Sequence, residues 1–221
     1  MQKITPFLWF DSNAEEAVKF YVSVFSAFGG KNSKTGSTTH YDESSAGASG
    51  QKKGSVMTAS FNINGQEFTA INGGPAFKLN PSVSFFVYGK TAKEVEELWN
   101  KLSAGGKVLM ALDKYPFSEK YGWVKDKFGV SWQIIISTGE IEQKIIPSLM
   151  FTKNSGKAEE SINFYTSVFK DAKPGNFFRY EAGQKPDEDS SVAYADFTLE
   201  GQKFAAMDGG HMHDFSFNEA I

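Results

Sequence analysis

The chain has 221 residues, of which 40% are hydrophobic and 15% aromatic, so it can bury a sizeable apolar core. The net charge is −3 and the basic residues form no stripe, which argues against nucleic acid as a partner. The absence of cysteine excludes disulfides and thiolate chemistry. No stretch reaches the ~20 apolar residues of a membrane helix. With no signal-peptide pattern at the N-terminus, we expect no membrane partner and a cytoplasmic location.

An internal repeat organises the chain. The segment "AEEAVKFYVSVF" at 14–25 returns as "AEESINFYTSVF" at 158–169. Similarly, "FNINGQEFTAINGG" at 61–74 returns as "FTLEGQKFAAMDGG" at 197–210. Each copy therefore predicts the same local structure, and the copies differ mainly in their loops.

The first copy predicts a strand, a helix and three more strands. A short apolar strand at 4–10 precedes a helix whose apolar residues recur at three- and four-residue spacing from Ala14 to Phe25. Strands follow near 36–42, 54–63 and 66–72, and Asn64-Gly65 provides a tight hairpin turn. The pattern is a βαβββ unit.

A related unit lies between the two copies. It predicts a strand at 82–89, a helix at 91–106 capped by Thr91 and Glu94, and strands near 107–112, 121–126 and 131–137. The predicted βαβββ units are therefore 3–72, 82–137 and 145–208.

The C-terminal residues match the approach to the second unit. "FSFNEAI" at 215–221 aligns with "FKLNPSV" at 77–83, so Ile221 falls where a fourth unit would begin. We expect a truncated chain or partial gene product; the alternative is a natural three-unit protein whose third unit pairs with a partner chain. Either way, we expect an unpaired sheet edge near 145–208.

Three segments resemble a known family. They are "FDSNAEEAVKFYVSVF" (10–25), "GGKVLMALDKYPFSEKYGWVKDKFGVSWQI" (105–134) and "FTKNSGKAEESINFYTSVF" (151–169). The chain resembles the PhnB-like, 3-demethylubiquinone-9 3-methyltransferase-like family. That family is part of the vicinal oxygen chelate superfamily, with glyoxalase I, bleomycin-resistance proteins and extradiol dioxygenases.

The resemblance implies an α+β fold of tandem βαβββ units, paired into a curved mixed sheet around a pocket. It implies that units one and two pair with each other as a complete domain at 1–140. Residues 145–221 would then be the first unit of a second, truncated domain.

The resemblance also places the superfamily's metal-ligand positions at Thr5, Ala70, Ser82 and Gln133. Only Gln133 is a plausible ligand, and zinc or iron needs three or more nitrogen or anionic ligands. We therefore expect no catalytic metal and no cofactor.

The three histidines do not change that expectation. His40 lies on a predicted strand, and His211 and His213 form an H-x-H pair in a loop. The pair could hold a metal with a third ligand such as Asp208 or Asp214, but we favour a solvated loop that binds nickel or zinc adventitiously.

Methyl transfer has little support in the residues. No G-x-G-x-x-G occurs, and the glycine pairs follow helices or hairpins, where positive backbone angles explain them. No Ser–His–Asp set is visible, so no catalytic residue is assigned.

The expected pocket is apolar and aromatic. Its candidate residues are Trp9, Phe85, Met110, Phe117, Trp123 and Gln133, with Gln133 as the polar anchor. The aromatic loop 112–123 either closes the sheet as core or stacks on a planar ligand.

Three interpretations of function follow. The first is a metal-free module that binds a small apolar or aromatic molecule. The second is an enzyme of the same superfamily, acting on a quinone-like or carbonyl substrate or transferring a methyl group. The third is a structural dimer whose cavity is filled by its own side chains. We favour the binding module, and we expect a homodimer because relatives commonly dimerise.

Overall fold

The structure is a computed structural model that describes residues 2–29, 32–152, 157–181, 183, 191–211 and 213–221. Unit one contains β1 (Phe7–Phe10), α1 (Ala14–Ala27), β2 (Lys34–His40), α2 (Glu43–Ser49), β3 (Val56–Ile63) and β4 (Gln66–Asn72). Unit two contains β5 (Val83–Gly89), α3 (Ala92–Ser103), β6 (Lys107–Tyr115), β7 (Ser118–Lys125) and β8 (Ser131–Ile136). Unit three contains β9 (Ile145–Thr152), α4 (Lys157–Val168), β10 (Lys173–Arg179), β11 (Val192–Leu199) and β12 (Gln202–Gly210).

Two local features differ from the expectation. The short helix α2 was not predicted; the Asp42 side chain caps it by accepting from the Ser45 N–H at 2.8 Å. The segment 112–123 was expected to be a loop. It is instead a hairpin, because β6 continues to Tyr115 and β7 begins at Ser118.

The described strands form two sheets. The small sheet has the order β1-β4-β3-β2 and contains unit one alone. The large sheet has the order β10-β11-β12-β9-β5-β8-β7-β6 and joins unit three to unit two. At its centre β5 and β9 run antiparallel, with Val83 opposite Leu149 and Val87 opposite Ile145. The predicted α+β class, with tandem βαβββ units paired into a mixed sheet, is confirmed.

The expected pairing of units one and two within one sheet is wrong. The hydrogen bonds of β5 go to β9 of unit three, so unit one is left with a sheet of its own. The repeat identifies the units, but it contains no information about which strand edges meet. The proposed division into domains at 1–140 and 145–221 stays a prediction.

Unit one packs on unit two through its helix face. A single apolar core runs from α1 and the small sheet to α3 and the helix-facing side of β5 and β8. Phe25 and Trp132 are both fully buried there, with ring centroids 5.3 Å apart. Unit three has a separate, smaller core beneath α4, which includes Ile162 and Phe197.

The first strand of unit one has an unpaired edge, whereas the first strand of unit three does not. β9 is interior in the large sheet, whereas β1 ends the small sheet in the described part of the chain. The expectation of an unpaired edge near 145–208 is therefore wrong for the first strand of that unit, β9; among the described strands of unit three, β10 ends the large sheet. Among the described residues, no helix has the length and apolarity to span a membrane.

Candidate functional site

The large sheet has two differently occupied faces. One face packs under α3 and α4, and we call the other the inner face. Strand alternation assigns residues to them, so Phe85 and Val87 lie in the helix-side core while Phe86 lies in the inner-face cluster. The buried members of that cluster are Phe86, Tyr121, Trp123, Ile146, Met150, Ala205 and Met207.

A chain of polar side chains crosses this apolar surface. The Tyr121 hydroxyl donates to Gln133 Oε1 at 2.6 Å. The Gln133 amide then donates from Nε2 to Ser84 Oγ at 2.9 Å. All three side chains are buried, and each is placed by a different strand of unit two. The chain fixes the orientation of the Gln133 amide in the middle of the sheet.

Ser148 continues this polar line into unit three. It lies directly opposite Ser84 in the antiparallel pairing of β5 and β9. Its side chain is 0% exposed, and its Oγ finds no hydrogen-bond partner in the described part of the chain. Leaving a buried hydroxyl unpaired costs about 1–3 kcal/mol. This unpartnered hydroxyl, opposite the serine that accepts from the Gln133 amide, is therefore the most unusual feature that the described residues give the inner face.

Flexible and aromatic side chains surround the polar line. Met150 and Met207 are buried in the same cluster, and Met110 packs against it. Methionine is unbranched and fills irregular gaps, so these side chains can move aside for a ligand. Phe86 and Tyr194 form an edge-on aromatic pair with ring centroids 5.8 Å apart.

Residues after β12 cover one end of the inner face. The His213 ring stacks on Phe215 with centroids 4.8 Å apart, and its edge approaches the Trp123 ring at 6.4 Å. The side chains of His213 and Met150 lie so close to the backbone at position 209 that the position needs glycine. A Cβ there would lie 2.9 Å from both His213 Cδ2 and Met150 Sδ.

Burial sets the protonation of two groups at this face. It raises the pKa of the Tyr121 hydroxyl far above its usual range, so Tyr121 remains a neutral hydrogen-bond donor. Burial also lowers the pKa of the His213 imidazole, against an opposing effect from Asp214. His213 is therefore neutral at pH 7.

The residues at the centre of the inner face do not fit a catalytic metal. The first and last strands of the two paired units place Phe86 beside Gln133 and Ser148 beside Ala205. This set offers one amide and one hydroxyl, and the amide oxygen already accepts from Tyr121. Zinc and iron require imidazole, thiolate or carboxylate donors. No group of three or more such side chains clusters anywhere in the described residues.

The four predicted metal-equivalent positions do not come together. Thr5 lines a cleft of about 280 Å³ on the small sheet, and Ala70 is buried in the helix-side core. Ser82 precedes β5, where its carbonyl accepts from the Met150 N–H. Only Gln133 reaches the centre of the inner face. The other positions were placed on the assumption that units one and two share a sheet, and they do not.

Of the six predicted pocket residues, three belong to the inner face. Trp123 and Gln133 are buried there, and Met110 packs against the cluster. Phe117 is 63% exposed at the β6–β7 turn, on an open cleft of about 670 Å³ beside Tyr115.

The remaining two predicted residues, Phe85 and Trp9, do not lie on the inner face. Phe85 is fully buried on the helix side, between the rings of Phe68 and Trp132. Trp9 lies on the small sheet and donates from Nε1 to the Gly74 carbonyl at 2.8 Å. The predicted alternation of β5 was out of register by one residue. Such a shift moves a side chain such as Phe85 to the opposite face of the sheet.

Two functional candidates, Ser84 and Ser148, were not evident from the sequence. The signal was a serine in each of two aligned strands, "SVSFFVYG" and "IIPSLMF", at positions flanked by apolar residues. The residue types alone did not mark them, because serine is common on ordinary strands.

Comparison with known proteins gives the family. The family model described as 3-demethylubiquinone-9 3-methyltransferase matches residues 2–135 and, a second time, residues 143–221. The chain belongs to this family. The two matches correspond to the PhnB-like resemblance seen in the sequence, and together they cover nearly the whole chain. No curated protein matches it.

Solved structures agree with the family and with the fold. A PhnB protein from Bacillus cereus is 41% identical, with coverage of 62% of this chain and 100% of that one and a TM-score of 0.54. Glyoxalase I from Zea mays is 13% identical, with coverage of 94% and 66% and a TM-score of 0.57. A variant of the maize enzyme covers 99% of this chain and 70% of its own, at 12% identity and a TM-score of 0.58. At these identities the maize structures show the fold alone.

Proposed function

We propose that this PhnB-like protein is a metal-free binding module for a small apolar or aromatic molecule, held on the inner face of the large sheet. The observation that carries the proposal is the buried hydroxyl of Ser148, which has no hydrogen-bond partner among the described residues and lies beside the Ser84–Gln133–Tyr121 chain. A ligand with one polar group would satisfy that hydroxyl while its apolar body contacts the methionines and aromatic rings. Binding pockets commonly combine an apolar lining with a few placed polar groups.

Ser148→Ala separates a ligand role from a structural one. Without ligand, the variant should be as stable as the wild type or up to about 1 kcal/mol more stable, because an unsatisfied buried hydroxyl is removed. With ligand, the affinity should fall about tenfold, the equivalent of one lost hydrogen bond. Denaturant unfolding measures the first effect, and displacement of the fluorescent probe 1-anilinonaphthalene-8-sulfonate measures probe affinity and competition.

Thr69→Val is the matched control, since Thr69 borders the cleft on the small sheet rather than the inner face. It should change neither probe affinity nor competition. Native mass spectrometry of freshly purified, untagged protein identifies any retained organic molecule by mass. Loss of stability in Ser148→Ala, with unchanged probe binding, would contradict the proposal.

An enzyme of the same superfamily is the second candidate, as the family's methyltransferase description suggests. The observation in its favour is His213, a neutral, half-buried imidazole next to Trp123. It could accept a proton from a bound substrate. Turnover of a quinone or carbonyl compound that His213→Gln abolishes, with binding retained, would favour the enzyme. Chelator-sensitive turnover would overturn the metal-free proposal. The expected homodimer and cytoplasmic location stay predictions.

A further inference from the structure

The tip of the β6–β7 hairpin carries three packed aromatic rings, and one of them is largely exposed. The Tyr115 and Phe117 rings stack with centroids 5.6 Å apart and planes inclined by 21°. The Tyr121 ring meets both of them edge-on, at 5.6 Å and 5.0 Å. Tyr121 is 4% exposed, whereas Phe117 is 63% exposed. We call these three residues the tip cluster. Its buried member anchors it to the large sheet, and its outer member presents a ring to solvent.

An irregularity in β6 places Tyr115 in the tip cluster. Met110 and Tyr115 both pack against the inner-face cluster, although they are an odd number of residues apart. Strict alternation would put them on opposite faces of the sheet. Met110 pairs with Trp123 and Asp113 pairs with Tyr121, so β6 has one more residue than β7 in this interval. This bulge turns Tyr115 to the side of the sheet that carries Tyr121.

The polar groups around the tip cluster are already paired. The Tyr115 hydroxyl donates to a backbone carbonyl of β6 at 3.0 Å, and the Ser118 hydroxyl donates to a backbone carbonyl of β7 at 3.0 Å. Lys114 and Glu119 are the charged residues that line the adjoining cleft, and they form an ion pair at 2.8 Å. The open face of Phe117 is therefore the main contact that this cleft offers, without an unbalanced charge beside it.

A flat, uncharged aromatic ring is the group that fits this arrangement. Phe117 has the Tyr115 ring stacked on it and the Tyr121 ring against its edge, and the rest of its surface is open. A further ring can extend the stack, and one such aromatic pair strengthens binding about three- to tenfold. The cleft of about 670 Å³ is large enough for a small molecule, and Thr138 adds a hydroxyl to its lining.

We propose that the tip cluster and its cleft form a binding site for a flat, uncharged aromatic molecule that stacks on Phe117. This site lies outside the inner face and goes beyond the proposed function. Tyr121 connects the two surfaces, because its ring belongs to the tip cluster while its hydroxyl donates to Gln133 Oε1. A molecule on Phe117 is thus one ring away from the side chain that orients the inner-face amide.

Chemical-shift mapping with 2-naphthol tests the proposal on the isotope-labelled 221-residue chain. This probe is flat and uncharged at pH 7. It should shift the amide signals of Phe117, Ser118 and Thr138, which line the cleft. Phe117→Ser should weaken binding about three- to tenfold, because one aromatic pair is lost. The variant should fold normally, since the ring that it removes is largely exposed.

Phe164→Ser is the matched control for this experiment. Phe164 is 62% exposed on α4 and lies outside the cleft, so its loss should leave the affinity for 2-naphthol at the hairpin unchanged. Ser148→Ala, which alters the inner face, should also leave that affinity unchanged. The site at the hairpin and the proposed function therefore fail separately.

Three results would overturn the proposal. The first is the absence of shifts at the hairpin when 2-naphthol is added to its solubility limit. The second is a set of shifts that persists undiminished in Phe117→Ser. The third is a dimer, seen by sedimentation velocity, that Phe117→Ser dissociates and Phe164→Ser does not. That dimer would make the tip cluster an interface between copies of this chain.

Discussion

At the scale of single residues, buried polar groups show which parts of the molecule are structural and which are available for binding. Asp126 is 3% exposed, yet its carboxylate accepts from Tyr21, Trp132 and two backbone N–H groups. Burial raises its pKa and these hydrogen bonds oppose the rise. Ser148 is equally buried without a partner among the described residues. Asp126 is thus part of the scaffold, whereas Ser148 is a candidate for ligand contact.

Tyr21→Phe tests the scaffold role of Asp126. The variant should lower the free energy of unfolding by about 1.5–3 kcal/mol, because a hydrogen bond to a buried charged acceptor is lost. Urea unfolding followed by circular dichroism measures the change. Tyr165→Phe, at the equivalent position of α4, is the control and should lie within about 0.5 kcal/mol of the wild type. Equal effects at the two tyrosines would contradict the assignment.

His213 predicts a pH dependence at the covered end of the inner face. Its pKa is lowered in the folded state, so unfolding takes up a proton. The stacking of His213 on Phe215 should be fully stable above the unfolded pKa of about 6.5 and weaken as the pH falls from that value through the lower pKa of the folded state.

Tryptophan fluorescence between pH 5 and 8 follows the change through Trp123. The transition should disappear in both His213→Gln and Trp123→Phe. A transition that survives in His213→Gln would assign the pH dependence to another group.

At the scale of elements, the repeat shows how one amphipathic pattern acquires two environments. Helices α1 and α4 share the "FY-SVF" pattern, and each buries its first alanine under its own sheet. Only α1 continues into a second interface, against unit two. The helix is encoded locally by its apolar spacing, but the burial of its outer face depends on a neighbouring unit.

Phe25→Ala and Phe169→Ala should therefore differ strongly. Loss of the fully buried Phe25 ring should cost about 3–5 kcal/mol, because it leaves a cavity against Trp132. Loss of the half-exposed Phe169 ring should cost less than about 1 kcal/mol. Thermal and urea unfolding of the two variants measure the contrast. Comparable losses would mean that the α4 face is buried in solution.

At the scale of the whole molecule, two kinds of contact join the three units. Units one and two share a core between their helices and sheets, whereas units two and three share the β5–β9 seam of the large sheet. The seam creates the inner face, because it brings Ser148 of unit three opposite Ser84 of unit two. Neither unit alone contains the candidate site.

Hydrogen exchange should distinguish the paired seam from the free edge. The Met150 amide lies within the large sheet, and the Trp9 amide lies under a short C-terminal segment, although each donates to an equivalent carbonyl. Met150 should exchange at least about a hundredfold more slowly, since opening the large sheet requires near-global unfolding. Similar rates would indicate that units two and three separate readily.

Much of the fold was predictable from the residues, but the candidate site was predictable only in part. The repeat located all three units, and three of the predicted pocket residues, Trp123, Gln133 and Met110, lie together on the inner face. Their role in a pocket stays a prediction. Phe85 and Trp9 do not lie there. A run such as "VSFFVYG" is apolar on both faces, so its alternation does not reveal which side meets the helices.

The sequence by itself determined the unit, the family and the kind of surface each strand and helix would offer, because these depend on local periodicity and on residues close along the chain. The tertiary structure decided which units share a sheet and which units pack against each other. The pairing of β5 with β9, the free edge of β1 and the exposed face of α4 depend on contacts between residues far apart in sequence. The site on the inner face follows from that choice, because Ser148 lies opposite Ser84 only when units two and three share one sheet.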